Sequence, residues 1–390
     1  MTSDHRHVVV GCGGLGAAAL YWLARAAGGA RGAVLGLEAG ALGGDRPDGR
    51  LLGHAQRQDV YAALAPAAHD AWRAVERVSG RTLLAETGEL LIEDGEDRLG
   101  PATLDGHRAV AARHGTVIEE LDAREVTARW PQFRLAGTEH AIHQRHSGVV
   151  DVRRAEATHL ALARGQGADV ADHTAVRALH PTRDHVEVVT DDGVLRADQV
   201  VVTADGLTTD VLAGVGRDLR LTTLEEHVTT YATPHLLDFS GEHFPAFRWY
   251  GAEHVHGHPV LGEVATTLDQ HLDGHGVAAD SGSFEAAALR RKRREEFLAE
   301  HVPGFGGPEL TTRTHHSAIA PDHHLVVDTV PEAPRVHVAV GAGHGAAYAS
   351  LIGRVLAELA TAGRSRFPVD TFSLDRPALL DPDFERRFGF

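Results

Sequence analysis

Apolar and polar positions fall into blocks along this chain. The run Val8-Val9-Val10 ends in glycines and is followed by AAALYWLARAA, whose small and apolar residues suit a helix packed closely on a parallel sheet. GAVLGLEAG then reads as a second parallel strand, completing a βαβ unit. From Arg50, RLLGHAQRQ reads as a loop that becomes an amphipathic helix, with Tyr61, Leu64, His69, Trp72 and Val75 near helical spacing. LLAETGELLIED reads as a hairpin, and a helix is expected from about Leu99 to His114. SGVVDVRRAEATHLALARGQGADV supplies a helix and a strand, and HVEVVT and GVLRADQVVVTADG supply further strands. Leu219 to His271 is strand-rich and predicts a mostly antiparallel sheet. SFEAAALRRKRREEFLAEHVPGF reads as a charged helix stopped near Pro303, and RVHVAVGAGHGAAYASLIGRVLAEL returns to a strand, a glycine turn and a helix.

No internal repeat or low-complexity linker interrupts this order. The expected fold is therefore α/β, with a nucleotide-binding domain assembled from residues 1–85, 145–215 and 310–390. Residues 86–144 and 216–309 are expected to form an antiparallel-sheet substrate domain. A chain of 390 residues with 43% apolar content can bury both cores. Its 38 basic and 54 acidic residues give a formal charge of −16, which argues against nucleic acid and anionic membranes as partners. The lone cysteine, Cys12, cannot form an internal disulfide, and no leader or apolar run of transmembrane length is visible, so a cytoplasmic location is expected. Histidine is abundant, at 28 residues, whereas Lys292 is the single lysine and lies in the charged helix LRRKRREEF.

Gly11-Cys12-Gly13-Gly14-Leu15-Gly16 fits GxGxxG between a strand and a helix. The first glycine permits the tight turn, the second admits a pyrophosphate and the third lets helix and strand approach. Glu38, followed by Ala39, closes the second strand where an acid can accept from a ribose diol, which disfavours a 2′-phosphate and leaves NAD and FAD open. The second glycine-rich turn, GAGHGAAY, favours one FAD spanning both ends of the chain. Cys12 reads as a spacer, since no resolving cysteine exists. THHSAIAPDHH lacks the spacing of a metal-binding helix, and no metal is expected.

These stretches, with DGRLLGHA, VVVTADG, APDHHLVVD and the closing RSRFPVDTFSLDRP, resemble the D-amino-acid-oxidase-like superfamily of FAD enzymes. The likeness is greatest to its monomeric sarcosine oxidase and N-methyltryptophan oxidase branch. It implies an FAD-binding Rossmann-like domain of the glutathione-reductase type. It also implies that Gly11, Gly13, Gly14, Leu15, Gly16 and Glu38 hold the ADP half, that Val176 meets adenine, and that Thr203, Ala204 and Gly206 close over the pyrophosphate. Gly343, His344, Gly345, Ala346 and Ala347 would face the flavin pyrimidine from a helix N-terminus. Pro321, Asp322 and Arg50 would lie beside the ring.

The departures from the branch are as informative. Its second carboxylate-binding arginine is replaced by Gly53, and the lysine completing that clamp by Ala347. Its oxygen-activating lysine aligns near Thr267, and its flavin-tethering cysteine aligns with His315. Noncovalent FAD is expected, with histidyl attachment at His315 the alternative. His344 is the leading candidate for a direct catalytic role, followed by Arg50, by His256 at the place of an active-site tyrosine, and by His271. His227 could face either way. The reaction implied is removal of hydride from a carbon bearing an amine nitrogen. Without the clamp, a larger, carboxyl-masked or carrier-bound small molecule is expected, as in secondary metabolism. The alternatives are a dehydrogenase of an alcohol or ring carbon using an acceptor other than oxygen, and a flavin-binding protein that has lost catalysis.

Overall fold

The structure is a computed structural model and describes residues 4–43, 49–95, 103–251, 254–262, 264–271, 284–341 and 343–385; the side chains of residues 103, 270, 271 and 284–286 lie outside that description. The strand Asp4–Val10 pairs in parallel with Val34–Leu37 on one side and Gly193–Val202 on the other. Asp169–Ala171 and Val336–Val340 extend the parallel array, and the whole sheet has eight strands. Strand alternation sends Val9 to one face, against the helices Gly14–Ala26 and Gly345–Ala362. Val8 and Val10 go to the other, beside Val200, Val202 and Val338. The two helices cross so closely that a Cβ on Gly353 would lie 2.6 Å from Ala18 Cβ, so the small residues of both sequences set the approach.

The second eight-stranded sheet runs Glu309–Ile319, Thr222–Tyr231, Thr266–His271, His254–His258, Ala246–Tyr250, Glu89–Glu93, His140–Gln144, Glu119–Asp122. Neighbours are antiparallel except Ala246–Tyr250 beside Glu89–Glu93. One face carries Phe247, Trp249, Val255 and Leu268 into a core with Phe133, Phe297 and Phe305. The alternate positions, among them Glu89, Arg248, His256 and Asp269, form a polar face.

A small third sheet of Gly49–Leu52, Gly148–Asp151 and Leu84–Ala85 joins the set. Two sequence expectations change here. Arg50 to Leu52 lie in a strand rather than a loop, because Gly49 to Leu52 pair antiparallel with Asp151 to Gly148. LLAETGELLIED is not a hairpin: Leu84–Ala85 joins the small sheet, Glu89–Glu93 joins the second large sheet, and Gly88, at φ 71°, turns the chain between them. Lys292 lies on the exposed face of the Phe284–His301 helix, 3.6 Å from Glu296. No described helix is long and apolar enough to cross a membrane.

Candidate active site

The first parallel strand ends in a loop that only glycine can build. Gly11 adopts φ 84°, and a Cβ there would lie 2.5 Å from Thr203 O. A Cβ on Gly16 would lie 1.8 Å from Gly11 O. Thr203 staples the loop from the neighbouring strand, donating its backbone N–H to Val10 O (2.8 Å) and its hydroxyl to Gly11 O (2.7 Å). The helix starting at Gly14 has no side-chain cap, so its N-terminus is left to a ligand or solvent. The Glu38 carboxylate accepts from Cys12 N–H at 2.8 Å. Cys12 itself is 1% exposed, with its Sγ 2.8 Å from where a Cβ on Gly36 would stand, so the thiol is packed against the second strand.

From this cradle a groove of about 440 Å³ runs between the sheets. Gly11, Gly13, Gly14, Leu15, Glu38, Thr203 and Ala204 line it together with His315, Gly343, Gly345 and Ala346. The sequence thus brings together glycine turns from opposite ends of the chain. Gly16 serves by packing rather than by lining. Ala39, Val176, Gly206, Pro321 and Asp322 do not line the groove. Ala39 and Gly206 are exposed. Val176 starts the strand that follows Thr174, whose N–H bonds Glu38 O. Asp322 forms two bonds to Arg376, at 2.7 and 3.0 Å, which fasten the C-terminal LDRP segment to its loop.

A second cavity, of about 220 Å³, shares Arg50 and Gly343 with the groove. It gathers three of the four expected catalytic residues, His344, Arg50 and His256, and it also includes Ala347. His271 stands opposite His254 in the sheet, and its side chain lies outside the described residues. His227 lines neither space; its Nε2 is 2.9 Å from Glu225 Oε1. Thr267 lines a separate depression with Gly49 and His258.

Arg50 is held by two acids of the polar face. Its Nη2 contacts Glu226 Oε2, and its Nη1 lies 3.2 Å from Asp269 Oδ2. Burial opposes the guanidinium charge, but the two carboxylates hold its pKa above the usual value. Two carboxylates thus share the Arg50 charge. His344 caps the Gly345–Ala362 helix, with its ring centroid 4.9 Å from that of Tyr61. Its pKa is lowered to about 3, chiefly by burial and then by Arg248, so the imidazole is neutral at neutral pH. It can exchange hydrogen bonds with a substrate nitrogen but supplies no cation.

The residues that sequence reasoning missed are Arg248, Glu89, Arg57, His107, Tyr250 and Asp269. Arg248, His256 and Asp269 form one row across adjacent strands, Arg248 opposite His256 and His256 opposite Asp269. Arg248 Nε lies 2.9 Å from Glu89 Oε1, and Gln144 Nε2 donates to Glu89 Oε2 at 3.4 Å. Glu89 fills the volume that a side chain at Gly53 would need, with its Oε2 2.3 Å from where a Cβ would sit. The alternation of FRWY, which places Arg248 and Tyr250 on one face, was the available signal.

A family model described as FAD dependent oxidoreductase matches residues 6–359. The chain is 26% identical to monomeric sarcosine oxidase of Bacillus sp. (strain B-0618), covering 98% of each chain. It is also 26% identical to N-methyl-L-tryptophan oxidase of Yersinia pestis (strain Pestoides F), covering 96% of this chain and 99% of that one. Its fold matches that of an unusual amino acid oxidase essential for nikkomycin biosynthesis, at 24% identity and a TM-score of 0.81, covering 95% of this chain and 98% of the other.

Proposed function

From the premise that this chain belongs to the FAD dependent oxidoreductase family, we propose that it oxidises a carbon bearing an amine nitrogen. The observation that carries the reading is the sharing of Arg50 and Gly343 by the groove and a small polar cavity, so that a molecule in the cavity would meet the far end of a dinucleotide in the groove. The glycine cradle fits FAD: Gly11, Gly13 and Gly14 line the space for a diphosphate, Gly16 and Thr203 pack the loop behind it, Glu38 offers its carboxylate to the ribose, and His315, Gly343, Gly345 and Ala346 border the other end. FAD, once bound, supplies the hydride acceptor. The chain's own part is to orient and desolvate the reacting carbon. Tyr61 and Tyr348 wall the cavity with buried rings, and burial raises both phenol pKa values so that neither ionises at neutral pH. The neutral His344 imidazole accepts from the amine N–H.

A volume of about 220 Å³ is below that of pockets that enclose drug-sized ligands, so only the reacting end of a large substrate would enter. The reason for expecting a masked carboxylate was the lost clamp, and Arg57 and Arg248 remove it by supplying charge from elsewhere in the same cavity. Noncovalent FAD remains the proposal; release of the chromophore on acid precipitation tests it. The function is tested anaerobically with secondary amines, N-methyl amino acids and alcohols, read by loss of visible flavin absorbance. Bleaching by amines and not by alcohols is expected. Bleaching by alcohols alone, or by nothing in the panel, overturns the proposal in favour of an alcohol dehydrogenase or a non-catalytic flavoprotein.

One observation favours a second reading about the electron acceptor. The resemblance aligns the branch's oxygen-activating lysine near Thr267, Lys292 is on a solvated helix, and Arg50 is already paired with Glu226 and Asp269. Slow return of electrons to oxygen, and preference for another acceptor, follows from that charge balance.

A further inference from the structure

The substrate cavity has two differently charged ends. At one, Arg50 is held by the carboxylates of Glu226 and Asp269. At the other, Arg248 is balanced by Glu89, while Arg57, which also lines the cavity, has no ion-pair partner among the described residues. Two guanidinium groups against one carboxylate leave that end positive. Arg248 keeps 17% of its side-chain surface exposed, whereas Glu89 keeps 1%, so the guanidinium faces the cavity and the carboxylate stands behind it. Glu89 lies against Nε and the Tyr250 hydroxyl bonds the guanidinium, so the N–H groups that Tyr250 does not take are the ones that can meet an oxyanion. The same charge reaches His107 and His344, where Arg248 adds to burial in lowering both pKa values.

We propose that Arg248 and Arg57 form a carboxylate-anchoring subsite at the end of the cavity opposite Arg50, in place of the clamp that Gly53 and Ala347 do not provide. The inference rests on reading this cavity as the substrate site. It specifies a substrate that carries a free carboxylate on the side away from Glu226 and Asp269. Glu89 is a positioning residue: it orients Arg248 from the space a side chain at position 53 would fill.

The test uses the flavin-loaded protein and two isosteric probes that contain no oxidisable amine, benzoate and benzamide, with binding followed by calorimetry and by perturbation of the visible flavin band. Benzoate is expected to bind at least about tenfold more tightly than benzamide, and Arg57→Met to lose at least about tenfold for benzoate only. Arg248→Met leaves Glu89 buried without its partner and can disturb folding, so Arg248→Met/Glu89→Gln is measured beside it and should lose the same preference. Glu89→Gln alone should tighten benzoate several-fold, since it removes the competing negative charge. Equal binding of the two probes by the parent protein, or benzoate affinity unchanged in both Arg57→Met and Arg248→Met/Glu89→Gln, overturns the subsite. Neither probe can be oxidised at an amine carbon, so failure here is separate from failure of the amine panel.

Discussion

An alanine at position 53 tests whether Glu89 has taken the place of a missing side chain. Its Cβ would lie 2.3 Å from Glu89 Oε2, 3.2 Å from Ser147 Oγ and 3.4 Å from Gln144 Oε1. Ordinary contact begins at 3.4 Å, so the carboxylate must retreat by about 1 Å. It cannot do so freely, because Arg248 holds one oxygen at 2.9 Å and Gln144 the other at 3.4 Å. A shift of that size stretches the ion pair and breaks the Gln144 hydrogen bond, already at 3.4 Å. Overpacking costs about 1–3 kcal/mol, and complete loss of a buried pair about 3–5 kcal/mol, so Gly53→Ala should destabilise the protein by about 2–4 kcal/mol. The assay is chemical denaturation at matched FAD saturation, in a cycle with Glu89→Ala. In the Glu89→Ala background the added methyl enters vacated space, and its cost should fall below about 1 kcal/mol. An equal cost in both backgrounds would refute the idea that Glu89 occupies the position-53 space.

Two further predictions concern charge. Thr267→Lys should raise the rate of reoxidation by oxygen about tenfold to a hundredfold in stopped-flow measurements; an unchanged rate would sink the reading that a missing cation sets the choice of acceptor. His159 is buried between the Tyr21 and Trp72 rings, and burial lowers its pKa from 6.5 to about 4. The unfolded chain therefore binds this proton first, and the stability contributed by the neutral ring is complete above pH 6.5 and lost as the pH falls towards 4. His159→Gln should remove about one proton, or about 1.4 kcal/mol per pH unit, from the slope of stability against pH in that window. An unaltered slope would show that the ring is not held neutral.

The cofactor half of the molecule was legible because its constraints are local. Gly11 needs a positive φ and Gly16 a contact that no side chain permits, and both demands are met within a few residues of the strand that imposes them. The small residues of the first helix pointed to close packing on the sheet; its crossing with the last long helix, at Gly353 and Ala18, came only with the structure. The substrate half was not legible for the opposite reason. Arg248 and Glu89 belong to strands far apart in sequence that pair in parallel, and nothing near either residue says that they meet. Arg50 could be matched from its surroundings in DGRLLGHA, yet the acids that pair with it arrive from two other strands. With 28 histidines in the chain, only burial separates His344 from those at the surface. RLLG was missed as a strand because its partner, Gly148–Asp151, lies well beyond any local pattern.

Arg50 belongs to the wall of both compartments, and its counter-ions come from the polar face of the second large sheet. Whoever redesigns this cavity inherits that bond. Exchanging Glu226 or Asp269 to admit a new substrate also releases a guanidinium that borders the dinucleotide groove, so selectivity and cofactor retention will drift together unless Arg50 is given a replacement partner. Variation at the Arg57 and Arg248 end leaves Arg50's ion pairs untouched, which makes it the end where new substrate preferences can be explored while the flavin stays seated.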